Sequence, residues 1–115
     1  HQDGHSHIMA GTIPNCRSYD PCFSYELETI ISEGIEDMYV RNNDRYYYIT
    51  LMNENYIHPK RPKNATPENI MKGAYCFFKA KKPDFRVLAS GLTLNFALNA
   101  KRKLEEFGIE LEYGR

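Results

Sequence analysis

The sequence carries no excess charge of either sign, since fifteen Lys and Arg balance fifteen Asp and Glu over 115 residues. That balance excludes capture of a nucleic acid or other polyanion through overall charge. No apolar run approaches the roughly 20 residues that span a bilayer, and no signal-peptide pattern is present. The expected setting is therefore soluble and cytoplasmic, without a membrane partner. The three Cys fall at irregular spacing and are odd in number. They argue against a disulfide framework and fit a reducing compartment. Internal repeats and low-complexity tracts are missing, apart from one Pro- and Lys-rich stretch. The phosphate loop, the dinucleotide glycine fingerprint, the zinc-protease helix motif and the hydrolase nucleophile elbow are missing too. What the chain has is aromatic weight: nine Tyr and six Phe, too many for a disordered tail. Length and composition fit one ordinary domain or two partial ones of mixed α/β type. The chain opens on His1 instead of Met and stops at Arg115 just beyond an expected strand, which predicts a piece of a longer protein.

Local patterns give the organisation. The His-rich residues 1–11 read as a loop, and residues 12–21 as a short extended segment, because Pro14 and Pro21 bias the residues before them away from helix. Asp20-Pro21 has the form of a helix start. Phe23, Leu27, Ile30, Ile31, Ile35 and Met38 then recur at helical spacing, with Glu26, Glu28, Glu33 and Glu36 expected mostly on other faces. Gly34 within this helix implies close packing, and Arg41-Asn42-Asn43 should end it. Residues 45–52 are dense in aromatic and β-branched side chains and predict a strand. Extended segment, helix and strand make a βαβ unit with a parallel pair. Three Pro and four Asn mark residues 53–72 as a linker, with one capped helical turn at Thr66-Pro67-Glu68-Asn69. Seven basic residues against Glu68 alone make residues 60–82 a positive stretch. Beyond it, strands are expected around Tyr75–Lys79 and Phe85–Ser90, on either side of a Lys81–Asp84 turn. Thr93 should cap a helix whose apolar face is Leu94, Ala97, Leu98, Leu104 and Phe107. Gly108 is the expected C-terminal cap, and a last strand should follow at Ile109–Tyr113.

Chemistry is sparse. His1, Asp3, His5 and His7 share one face if extended, so zinc ligation by imidazole and carboxylate comes into view. Their spacing gives a row instead of a tetrahedron and matches no established zinc pattern, so a polar loop with incidental His is the plainer reading and no metal site is assigned. Cys22 falls in the expected first turn of a helix, where the dipole favours a thiolate, but inert buried thiols are the expectation for all three Cys. Tyr46-Tyr47-Tyr48 beside the basic linker resembles a base-stacking platform. Strand alternation splits that run between two faces, so core aromatics are expected and nucleic-acid binding is not.

Three stretches then carry more than their composition: HQDGHSH at 1–7, TIPNCRSYDP at 12–21 and YYYITLMNENYIHP at 46–59. In this order and spacing they resemble the homodimeric bacterial pyruvate dehydrogenase family, the decarboxylating first component of a multienzyme complex. Gly73 with Tyr75, and Val87 to Leu94, continue the likeness more weakly. The resemblance implies a thiamine-diphosphate enzyme of the transketolase-like group, hence α/β with parallel-sheet βαβ units. It implies that residues 1–52 end a pyrimidine-binding middle domain, residues 53–72 are a linker and residues 73–115 begin the C-terminal domain. It implies the decarboxylation of pyruvate and transfer of the acetyl unit to the lipoyl group of dihydrolipoyl acetyltransferase, with a second copy of the chain as the dimer partner. His1 matches an active-site histidine of the family, suited to proton transfer or substrate orientation because imidazole titrates near working pH. His5 is a secondary, loop-ordering candidate, and Asp3 receives no chemistry. The magnesium and diphosphate seat and the activating glutamate would lie upstream of His1, so the chain alone is expected to bind no cofactor and to be inactive. The different-class alternative is a small non-catalytic α/β binding module whose basic linker meets an acidic partner.

Overall fold

The computed structural model describes residues 4–115. Its first half is built on two short strands, β1 (Cys16–Tyr19) and β2 (Tyr46–Ile49), which pair in parallel with Cys16 opposite Tyr46 and Tyr19 opposite Ile49. A short helix, α1 (Ser6–Gly11), precedes β1. The crossover between the strands is α2 (Ser24–Ile35), prolonged by a π-helical turn at Glu36–Val40. The expected βαβ unit is therefore present. Its second strand is shorter than the expected 45–52. The Thr50 amide still reaches the Tyr19 carbonyl at 3.1 Å, but the strand opposite then runs into Asp20-Pro21, where proline offers no N–H. With no partner beyond that point, the chain leaves the sheet.

Two expectations about α2 need correction. Asp20-Pro21 does not start it; the helix begins at Ser24, after an extended Phe23. The capping work falls to Glu26, whose carboxylate reaches back to the amides of Cys22 at 2.7 Å and Phe23 at 3.2 Å. This satisfies N–H groups at the helix entry that have no intrahelical partner. The buried stripe is also rotated from the apolar pattern. Phe23, Glu26, Thr29, Ile30, Gly34 and Asp37 are buried, whereas Ile31 and Ile35 are about half exposed, at 46% and 52%. Burying two carboxylates is permissible here because each is fully hydrogen-bonded within the fold. Gly34 is packed closely, as expected: a Cβ there would lie 3.4 Å from the Tyr47 ring. Asn42, with φ +51, ends the helical region in the left-handed conformation that Asn tolerates.

The second half is joined to the first by a stretch that contributes to the core. Thr66 caps α3 (Pro67–Met71), accepting the Asn69 amide at 3.2 Å. Ala65 and Ile70 are buried with Cys22, Phe23, Tyr25, Ile30, Tyr75 and Leu94 in one apolar cluster that spans both halves. Strands β3 (Cys76–Phe78), β4 (Phe85–Leu88) and β5 (Leu111–Gly114) form a sheet in the order β3-β5-β4, antiparallel on the first pairing and parallel on the second. The Lys81–Asp84 turn therefore does not make its flanking strands neighbours, because β5 lies between them. Helix α4 (Thr93–Glu105) buries Leu94 completely and leaves Ala97, Leu98 and Leu104 half-buried, but Phe107 lies beyond its end and is exposed. Thr93 is its first residue instead of its cap. The Thr93 hydroxyl closes the preceding turn on the Ser90 backbone. Gly108 takes φ +72 and its amide bonds the Glu105 carbonyl at 3.0 Å, the expected glycine stop. Among the described residues, no helix is long and apolar enough to cross a membrane.

Candidate functional site

In open α/β sheets ligands collect beyond the carboxyl ends of the parallel strands. In this molecule that edge is where β1 runs into Asp20 and β2 into Thr50, and the His-rich segment is fastened there. The His7 ring is bonded on both nitrogens: Nδ1 to the Ser18 hydroxyl on β1, and Nε2 to the Thr50 hydroxyl at 2.9 Å. Thr50 in turn donates to Asp20 Oδ1 at 2.7 Å. A hydroxyl has one proton, so Thr50 accepts from His7, Nε2 carries the ring hydrogen, and in the neutral ring Nδ1 accepts from Ser18. The ring edge also meets Tyr48, with centroids 5.4 Å apart. These bonds leave His7 with no lone pair for a metal. His5 is exposed at the start of α1, where its carbonyl accepts the Met9 amide at 2.9 Å. His1 and Asp3 lie outside the described residues. Among the described residues, no three His, Cys, Asp or Glu side chains converge as a metal site would require.

Beside this network a cleft of about 270 Å³ opens between the residues that follow β1 and those that follow β2, lined by Phe23, Leu27, Leu51, Met52, Tyr56 and His58 among others. Its walls are largely apolar and aromatic. His58 Nδ1 accepts the Ser24 amide at 3.1 Å, and the Tyr56 hydroxyl donates to the Cys22 carbonyl. The cleft contains no Lys or Arg, so it suits a flat apolar or heteroaromatic group and not a diphosphate.

Under the cleft floor lies a buried polar centre. Glu26, 1% exposed, meets Arg115 Nε at 2.8 Å and accepts the Tyr75 hydroxyl at 2.5 Å, in addition to its two amides. Tyr25 shares a bond of 3.0 Å with the Tyr75 hydroxyl. Arg115 also donates to the Asp20 carbonyl at 2.5 Å. Burial, and then the bond to Glu26, pushes the Tyr75 hydroxyl far above its ordinary value, and burial raises Tyr25 to about 12. Cys22 precedes the helix instead of entering its first turn. Burial, followed by the Glu26 charge, pushes its thiol up to about 12, so it is an inert core thiol as expected. A second carboxylate, Asp37, is held below the usual range by the Asn43 amide at 2.6 Å, aided by Tyr47 at 2.9 Å and by Arg45 and Arg41.

Sequence reasoning singled out His1 and His5 but passed over the residues that organise this edge. Asp20 carried the signature of a cap, Thr50 that of an ordinary strand residue, and Glu26 that of a solvated helix face. The one signal available for Glu26 was its position three residues into the helix, where a carboxylate commonly turns back on the entry amides. The positive stretch at 60–82 is partly engaged locally: Arg61 donates to the Ala65 carbonyl at 2.6 Å and Lys72 pairs with Glu68 at 2.6 Å.

Known proteins share this fold. Solved transketolases from Pichia stipitis superpose on 99% of the chain and 16% of their own, with TM-scores of 0.75 for one variant and 0.74 for a complex with sedoheptulose-7-phosphate, both at 20% identity. That likeness shows the fold. In sequence, the chain is 48% identical over 113 residues to the pyruvate dehydrogenase E1 component of Pseudomonas aeruginosa, and 42% identical over 113 residues to that of Escherichia coli K12. Both matches cover 95% of the chain and only 13% of the relative's length. The family described as pyruvate dehydrogenase E1 component middle domain matches residues 1–59. With half its length matched by that family and a transketolase-like α/β fold around the match, the chain belongs to the pyruvate dehydrogenase E1 component family.

Proposed function

We propose that this chain is the part of a cytoplasmic, thiamine-diphosphate-dependent, pyruvate-decarboxylating enzyme that holds a catalytic histidine segment at the mouth of the site. In this reading residues 1–52 end the middle domain, residues 53–72 link, and residues 73–115 begin the C-terminal domain. The acetyl unit passes to the lipoyl group of a dihydrolipoyl acetyltransferase, and a second copy of the protein completes the enzyme. The observation that supports the reading is the bonding of His7 to Ser18 and Thr50, which ties α1 to the carboxyl ends of β1 and β2. That edge is where α/β folds do their chemistry. His1 transfers a proton or orients the keto acid, and His5 orders the loop around it.

The described residues do not fit the cofactor's charged end. They bring no acidic cluster together for magnesium, and the cleft at this edge has no cation for a diphosphate. What this chain contributes is the position of the imidazoles and the apolar wall beside them.

The test is pyruvate-dependent ferricyanide reduction by the full-length protein supplied with thiamine diphosphate and magnesium. Turnover is expected, and His1→Ala should lower kcat by about 100-fold or more, the usual worth of a placed acid–base group. The 115-residue chain alone should give none. Absence of pyruvate-dependent turnover in the full-length wild type, or a His1→Ala variant within about threefold of it, overturns the reading.

A further inference from the structure

We propose that Ser18, Thr50 and Asp20 are positioning residues for the His-rich segment, and that Gly91 makes their hold depend on docking of the second sheet. The inference takes its catalytic meaning from the function proposed above, but its geometry stands independently.

In α1 only Ala10 is buried, while Ile8 and Met9 are 70% and 67% exposed. A six-residue helix with one buried side chain is not stable through its own packing. His7 ties it to both strands, and that tie depends on a defined proton order. Asp20 takes the Thr50 proton, which leaves the Thr50 oxygen free to accept from Nε2, which in turn leaves Nδ1 to accept from Ser18. Removing the Thr50 hydroxyl strands the Nε2–H at a half-buried site and frees one side of the ring.

Asp20 is itself gripped from the second half at two points. Its carbonyl accepts Arg115 Nη2 at 2.5 Å, and the Arg115 backbone is locked to Tyr75 by two bonds of 2.7 Å at the end of the β3–β5 ladder. On its carboxylate side sits the Gly91 turn. A Cβ at residue 91 would fall 2.9 Å from Asp20 Cγ and closer still to Oδ2, and the φ of +49 is one that L side chains rarely adopt. Glycine therefore lets the turn before α4 close onto Asp20 while Oδ1 stays on Thr50. The line of contact runs from the Gly91 turn to Asp20, Thr50, His7 and α1.

Hydrogen exchange read by mass spectrometry on the full-length protein tests this, comparing residues 5–13 with the core helix at 24–35. Thr50→Val and Gly91→Ala should each speed exchange in residues 5–13 by about tenfold, the effect of losing one well-made bond, and leave residues 24–35 at the wild-type rate. Thr50→Ser keeps the hydroxyl and should stay within about twofold of wild type in the exchange measurement. In pyruvate turnover, Thr50→Val and Gly91→Ala should lower kcat by about tenfold with KM little moved, as for a misplaced catalytic group. Unchanged exchange at residues 5–13 in Thr50→Val or Gly91→Ala overturns the inference. So does equal loosening of residues 24–35, which would mark a purely structural role. If the exchange pattern appears but the wild type does not turn over pyruvate, the positioning network stands and the proposed function falls. If turnover is normal and exchange is unmoved, only the network falls.

Discussion

Replacing Glu26 by Gln tests the buried polar centre most directly. The side chain keeps its shape and loses its charge. An amide nitrogen in place of Oε2 would face the Cys22 and Phe23 amides, donor against donor, so the new NH2 must take the Oε1 position. There it meets the Tyr75 hydroxyl, which can turn its proton toward Tyr25 and accept. Hydrogen bonds are thus largely recoverable and charge is not. The Arg115 side chain, 10% exposed, is left as a buried cation with no carboxylate. Breaking a buried pair in this way costs about 3–5 kcal/mol. Glu26→Ala adds the orphaned amides, about 1–3 kcal/mol more. Equilibrium urea unfolding followed by circular dichroism measures the loss; at a slope of about 1–3 kcal/mol per molar it appears as a midpoint lowered by about 1–5 M. The control is Glu68→Gln, which removes a solvent-exposed pair with Lys72 and should leave the midpoint unchanged. Adding Arg115→Met to Glu26→Gln should recover about 1 kcal/mol or more, because the stranded charge is gone. A Glu26→Gln midpoint equal to wild type, or a double variant as unstable as the sum of the singles, would refute the assignment of Glu26 and Arg115 as a coupled buried pair.

Two further outcomes follow from the side-chain environments. The Asp37 carboxyl is held below its unfolded value of about 4, chiefly by Asn43 and then by Tyr47, Arg45 and Arg41, so its stabilisation is present above that value and is lost as pH falls through the lowered folded value. Acid unfolding curves should therefore steepen below about pH 4, and Asp37→Asn should flatten that limb; an unchanged limb would contradict the linkage. Thiol titration at pH 8 should label Cys76, which is half-buried, before the buried Cys16 and Cys22. Cys22, raised to about 12, should react only on denaturation. Labelling of Cys22 in the folded protein at a rate comparable to Cys76 would refute its burial.

The order of elements was largely legible because it rests on local signals. Thr66-Pro67 and Gly108 specify a cap and a stop through one or two residues each, and the aromatic run at 46–49 demands a strand wherever it is paired. The rotation of α2 was not legible. Its buried stripe includes Glu26, Thr29, Gly34 and Asp37, and the two carboxylates are acceptable inside only because Arg115, Tyr75, Asn43 and Tyr47 meet them from beyond α2. The apolar spacing of Ile31 and Ile35 pointed to a face about 100° further round the helix. The same reason hid the site. A histidine row looks like metal chemistry until Ser18 and Thr50 are seen to occupy both nitrogens of His7, and Asp20 looks like a cap until Thr50 is found across the sheet. The role of His1 was read from resemblance and lies outside the described residues.

The middle position of β5 sets a timetable for assembly during synthesis. β3 and β4 both emerge from the ribosome before their shared neighbour, and neither can pair with the other across the gap that β5 fills. Glu26 waits longer still, since Arg115 follows it by 89 residues. Until β5 appears, the nascent chain holds two unpaired strands and a carboxylate whose cation has not yet been made. Such long-range closure is slow and exposes sticky edges meanwhile. The parallel pair β1–β2 can zip first and hold α2 in place, so the second sheet closes against a surface already formed. Arg115 is then set onto both Glu26 and Asp20, joining the buried polar centre to the edge that carries His7 in one event.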